Sequence, residues 1–169
     1  MTASLDLFCT SGADFSPCRR WRYRLLRIWD HTAGLLAVMG LNPSTADEVD
    51  NDPTVRRWIG FARAWGYGGI IVVNMFAWRS TNPSALLTVD DPVGQDNDEA
   101  ILGAAAEARE VLVCWGAWGD RFRARVERVG RLLSDLDLVC LGTTKSGQPL
   151  HPLYMPRATA RRPFIARLV

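Results

Sequence analysis

The chain has 169 residues, 48% of them hydrophobic and 22% charged, with a net charge of +2. That length suits one domain able to bury roughly 70% of the surface its unfolded chain exposes, so neither disulfides nor a metal are needed to hold it. No apolar run approaches the roughly 20 residues of a membrane span, and the charge balance is too even to announce a polyanionic partner by itself. Residues 1–14 carry Asp6 and Asp14 and lack a basic region followed by a long apolar stretch, so they do not read as a secretory signal. Cys9, Cys18, Cys114 and Cys140 form no CxxC pair, and the last two sit inside apolar runs where a reduced thiol packs as a small hydrophobe. The expectation is a single cytoplasmic domain over residues 1–169, with no membrane association, no metal and no cofactor.

In chain order, residues 23–29 alternate basic with apolar side chains and run into Asp30-His31-Thr32-Ala33-Gly34. This predicts a hairpin feeding the core, with His31 in its turn. Arg19, Arg20, Arg22, Arg24 and Arg27 crowd this segment, as Arg157, Arg161, Arg162 and Arg167 crowd the end. Such clusters are either solvated faces or guanidinium forks for phosphates.

Four apolar runs follow, at 35–39, 70–73, 111–115 and 138–141. Each is nearly continuous instead of alternating, the pattern of a parallel strand covered on both faces. Between them lie three helical patterns. The first starts near Pro53 with Asp52 as N-cap, carries Val55, Trp58, Ile59, Ala62 and Trp65 on one stripe, and stops at Gly66. The second spans 96–109 with Asp96, Asp98 and Glu99 at its positive end, and the third spans 120–133 with Phe122, Val126, Val129 and Leu133 as its apolar stripe. Alternating strands and helices predict an α/β fold: three αβα layers around a central, mostly parallel four-stranded sheet, plus an N-terminal hairpin strand. The Arg-rich, Pro-broken tail from Pro156 is expected to wrap the surface or move freely.

Ligands of open α/β sheets bind beyond the carboxyl ends of the strands, where loops converge. After the first strand come Gly40, Leu41, Asn42, Pro43 and Ser44, with Asp47 further on; after the second come Asn74, Phe76 and Trp78. Asn42, held between neighbours of restricted conformation, can fix a water or an exocyclic group, or simply close the strand with an Asx turn. The Asn74 amide offers a donor and an acceptor together, the combination that reads a base edge, or it caps its strand. His151 sits in the stiff loop Pro149-Leu150-His151-Pro152, where an imidazole can stabilise negative charge developing on a ligand. Asp47 is the candidate general base, while Asp52 has a competing role as N-cap. Phe76 and Trp78 are the candidate stacking surfaces, with Trp65, Trp115 and Trp118 assigned to packing.

Taken together, Gly40-Leu41-Asn42-Pro43-Ser44, Val72-Val73-Asn74 and His151-Pro152 resemble, in order and spacing, the motifs of the uracil-DNA glycosylase superfamily. The resemblance implies that Asn42 positions the hydrolytic water, Asn74 reads the base and His151 stabilises the departing anion. The residues implied around the substrate are Gly40, Leu41, Pro43, Ser44, Phe76 and Trp78, with Arg56, Arg79 and Arg157 toward nucleic-acid phosphates. Leu153-Tyr154 stands where these glycosylases usually carry a Ser after His-Pro. More closely, the chain looks like a bacterial and phage family of unknown function with a Leu-Asn-Pro-Ser-Thr-Ala-Asp signature, a likeness spanning about 23–156. The implied activity is N-glycosidic hydrolysis on a nucleobase in DNA or a nucleotide. The alternatives are a nucleotide or nucleic-acid binder without catalysis, and an enzyme modifying a base at another bond.

Overall fold

The computed structural model describes residues 10–165, so Asp6, Cys9 and Arg167 lie outside the described residues. Its centre is a mixed sheet of seven strands in the order β1-β2-β4-β3-β5-β6-β7: Thr10–Phe15, Arg22–Ile28, Gly69–Asn74, Leu35–Gly40, Glu110–Val113, Leu138–Cys140 and Arg162–Phe164. β3 pairs in parallel with both β4 and β5, and β5 in parallel with β6. β1, β2 and β7 pair antiparallel at the two sides.

Three helices cover the sheet: α1 (Pro53–Ala64), α2 (Asn97–Glu107) and α3 (Arg123–Leu132). Successive residues of a strand point to opposite faces, and the core divides accordingly. Leu36, Val38, Ile70, Val72 and Leu112 pack with Val55, Trp58, Ile59 and Ala62 of α1. Ala37, Met39, Ile71, Val73, Val111 and Val113 pack with Ile101 and Ala104 of α2 and Val129 of α3. Continuous apolar strands are therefore needed, because each strand feeds two cores.

The sheet departs from the four strands and one hairpin strand expected. Residues 30–34 do not close a hairpin, because β2 pairs with β4 and the chain must pass β4 to reach β3. The hairpin lies one strand earlier, where β1 meets β2 through the turn at 16–21, closed by Ser16 N–H donating to Trp21 O. The tail neither wraps nor hangs free at 162–164, where β7 extends the sheet beside β6. A Pro within β7 is tolerated because that strand is an edge.

α1 starts as its sequence dictates: Asp52 Oδ1 accepts from Val55 N–H at 2.9 Å, Pro53 occupies the first turn, and Gly66 follows the helix at φ 80°. The third helix begins later than 120. Residues Ala117–Arg121 form a 3-10 turn and Phe122 breaks helical geometry at φ −127°, its ring packed on Phe76 at 4.7 Å. Asp120 does not cap the helix; its carboxylate accepts from Ser146 Oγ and Gln148 Nε2. Among the described residues no helix is long and apolar enough to cross a membrane.

Candidate functional site

Loops after β3, β4, β5 and β6 enclose a cavity of about 410 Å³, inside the ~300–1,000 Å³ typical of ligand sites. Asn42, Asn74 and His151 all line it, together with Gly40, Leu41 and Ser44. The side chains expected to face one another thus share a single cavity. Its wall is stiff because the backbone bonding of the parallel strands continues past their ends: Met75 N–H donates to Gly40 O and Phe76 N–H to Leu41 O.

Asn42 points its amide nitrogen at the carbonyls of Pro43, Trp78 and Ser80, at 3.1, 3.4 and 2.9 Å. Only a donor can meet three carbonyls, so the amide orientation is fixed and Oδ1 is left without a donor among the described residues. Asn42 therefore ties the first loop to the second and keeps an acceptor for a ligand or water.

Asn74 closes β4 and is 2% exposed, yet its Nδ2 has no hydrogen-bond acceptor among the described residues. A buried amide without a partner costs about 1–3 kcal/mol unless something supplies one. Asn97, fully buried at the start of α2, holds this strand end by donating to Asn74 O and Met75 O at 3.0 and 3.1 Å. Gly40 makes room for the arrangement. A Cβ there would sit 2.8 Å from Asn74 Oδ1 and 2.9 Å from the Trp58 ring.

His151 begins a 3-10 turn, Pro152–Tyr154, and Nδ1 accepts from Leu153 N–H at 3.4 Å. An accepting Nδ1 leaves the neutral ring with its proton on Nε2, as a donor. Burial pushes the imidazole below its ordinary value and so favours this neutral form, against a weaker opposing pull from Asp52. The loop is anchored on both sides. Gly116, at φ 77°, donates to Pro149 O at 2.8 Å, and Arg57 of α1 donates to Pro152 O and Met155 O.

Several expected residues fall elsewhere. Asp47 does not line the cavity; its carboxylate accepts from Val49 and Asp50 N–H, and these bonds hold it below the usual carboxylate range. Asp52 takes its place: it lines the cavity, and the oxygen not engaged by Val55 has no donor among the described residues. Phe76 is buried in the core on Phe122, Pro43 is buried, and Trp78 stands edge-on to Trp21 at 5.2 Å. The aromatic walls come instead from Trp58, Trp115 and Trp118, with exposed Tyr154 at the rim. Trp115 and Trp118 belong to a loop that sequence singles out, but alternating tryptophan and glycine there reads equally as packing.

Arg79 lies in a shallow depression beside the cavity with Arg19 and Arg20, sharing Ser44, Ser80 and Thr81 with it. Arg56 and Arg157 are exposed around a separate groove on the outer side of α1. Sequence gave no hint of Arg22 as a cavity residue. It reads as one member of a basic cluster, whereas the side chain is 2% exposed and lines the cavity. Among the described residues no group of three or more His, Cys, Asp or Glu could hold a metal ion.

Residues 22–153 match the family model described as Protein of unknown function (DUF1643), a span that includes Arg22, Asn42, Asn74 and His151. No curated protein and no solved structure matches the chain.

Proposed function

We propose a function for a chain that belongs to the DUF1643 family, whose description assigns none: hydrolysis of an N-glycosidic bond in a nucleobase-bearing substrate. The observation that carries the reading is the convergence of Asn42, Asn74 and His151 on one cavity with tryptophan walls. Their motifs resemble, in the same order, those of uracil-DNA glycosylases, and the finer likeness of fold to that superfamily is part of the same proposal.

The chemistry follows from the free valences. The base lies against Trp115 and Trp118, with the unpartnered Nδ2 of Asn74 donating to a ring carbonyl. Water held by Asn42 Oδ1 attacks the anomeric carbon of the sugar. As the new carbon–oxygen bond forms, the carbon–nitrogen bond breaks and its electron pair stays on the base. Neutral His151 donates through Nε2–H to the base oxygen where negative charge gathers. Asp52 takes the proton from the water, and the base is reprotonated on release.

The test incubates the full chain with normal, deaminated and hypermodified nucleosides, nucleotides and oligonucleotides, followed by mass spectrometry of small products. Free base with matching sugar is expected from at least one class, at a rate lowered by roughly a hundredfold or more in His151→Ala. Release from none of the panel overturns the proposal.

A further inference from the structure

Arg22 stands at the start of β2 with a side chain 2% exposed, and it lines the cavity described above. One nitrogen donates to Ala46 O at 2.8 Å, and buried Nε has no partner among the described residues. Among the described residues no carboxylate forms an ion pair with it. Asp52 pulls on the charge from a distance, while Arg27 and Arg79 repel it, and burial brings the guanidinium down to about 10. A buried cation without a counter-ion is one of the least favourable groups a fold can carry, and natural cores retain one only where a negative group meets it.

What lies around it is suited to an oxyanion. Ser44, Ser80 and Thr81 line both the cavity and the neighbouring depression that holds Arg79; the Ser80 hydroxyl is committed to Asn82 O, so Ser44 and Thr81 supply the hydroxyl donors on this side. Arg79 Nε is likewise buried without an acceptor. Arginine forks match planar carboxylates and phosphates by paired N–H donors, which neutral carbonyls do not reward to the same degree.

We propose that Arg22 is an anion anchor, and that the cavity takes a ligand bearing a compact oxyanion, a phosphate monoester or a carboxylate, rather than a neutral nucleoside. The proposal rests on the nucleobase reading of the same site and narrows it. The anion enters with the ligand and fills the acceptor role that the chain leaves vacant at Arg22, while Asn74 and the tryptophans hold the ring. A free nucleotide, a strand terminus or an acid-bearing base would satisfy it.

The experiment titrates the full chain calorimetrically with four nucleosides, their 5′-monophosphates, inorganic phosphate, and uracil beside 5-carboxyuracil. At least one anionic member is expected to bind about tenfold or more tightly than its neutral counterpart, the size of one charge-assisted hydrogen bond. Arg22→Gln is expected to lose that preference, and if it does not fold, Arg22→Lys is expected to reduce it, because the charge stays and the fork goes. Preference in the phosphate series identifies a phosphomonoester, and preference only for 5-carboxyuracil identifies a carboxylate. Equal binding of neutral and charged members, or a preference unchanged in the variant that folds, overturns the anchor. Base release from a neutral nucleoside as fast as from its nucleotide sinks the anchor but leaves hydrolysis standing. Tight anion binding with no release from any substrate does the reverse.

Discussion

The arginines of β2 and those around the outer side of α1 are the same residue in similarly crowded stretches, and the fold uses them in opposite ways. Arg27 is fully buried and donates to Asn51 Oδ1 and to the carbonyls of Asp47 and Asp50, pinning the loop that leads from β3 into α1. Arg24 reaches across to a bidentate bond with Glu107 of α2. Arg56 and Arg157 instead stand exposed around a groove of about 630 Å³. Crowding of charge along the sequence therefore says little about where charge ends up. What decides is whether the segment that carries it lies under a polar loop needing donors, as β2 does, or faces outward, as Arg56 does on α1 and Arg157 in its turn.

The largest effect that can break this contrast belongs to Arg27. Replacing it with Met keeps the apolar stem but takes the donor from Asp47 O and Asn51 Oδ1, while Asp50 O keeps only its bond from Asp47 N–H. A loss of about 2–3 kcal/mol is expected, the scale of buried neutral acceptors left unsatisfied. Urea unfolding of Arg27→Met against wild type measures it. A loss under about 1 kcal/mol, typical of surface positions, would mean that the loop stands without its buried donor.

The strands feeding both cores were legible in the sequence. Runs at 35–39, 70–73, 111–115 and 138–141 each overlap an observed strand, because burial on two faces leaves no alternation to confuse. The start of α1 was legible for a local reason: Asp52-Pro53 supplies a capping acceptor and a preset φ without help from the rest of the chain. Pairing partners were not legible. β2 chooses β4 over the strand that follows it in sequence, a choice set by packing between distant segments. The site divides in the same way. Asn42, Asn74 and His151 lie at or after strand ends and could be found there, whereas Arg22 opens its strand and enters the cavity only because β2 lies beside β4. Asp47 and Asp52 each commit one carboxylate oxygen to neighbouring N–H groups, and the fold alone separates them as site candidates: Asp52 lines the cavity and Asp47 does not.

His151 sharpens the contrast between inner and outer polar groups through pH. Its folded value lies below the ordinary one because burial disfavours the cation. Below about pH 6.5 the unfolded chain binds a proton that the folded one resists, so the stability from neutral His151 is complete at pH 8 and falls as pH drops through that point. The wild-type melting midpoint should therefore decline more steeply between pH 7 and 5 than that of His151→Asn. Parallel profiles would mean that the ring is as free to ionise as one in water.

The smallest expected effect lies on the outer side. Arg56→Glu with Arg157→Glu removes no side-chain hydrogen bond among the described residues, so stability should shift by no more than about 0.5 kcal/mol per site. Binding separates the two kinds of arginine more sharply. If the ligand is a free nucleotide anchored at Arg22, the double reversal should leave its affinity within about twofold, because neither arginine lines the cavity and exposed charges are screened by salt. If the substrate is a strand whose backbone follows α1, oligonucleotide affinity should fall and its salt dependence should lose about one unit of slope for each phosphate contact removed. Titrating one nucleotide and one oligonucleotide over a salt series into both proteins decides it. An unchanged oligonucleotide slope would confine recognition to the cavity, where charge sits under cover and each guanidinium answers to a defined atom.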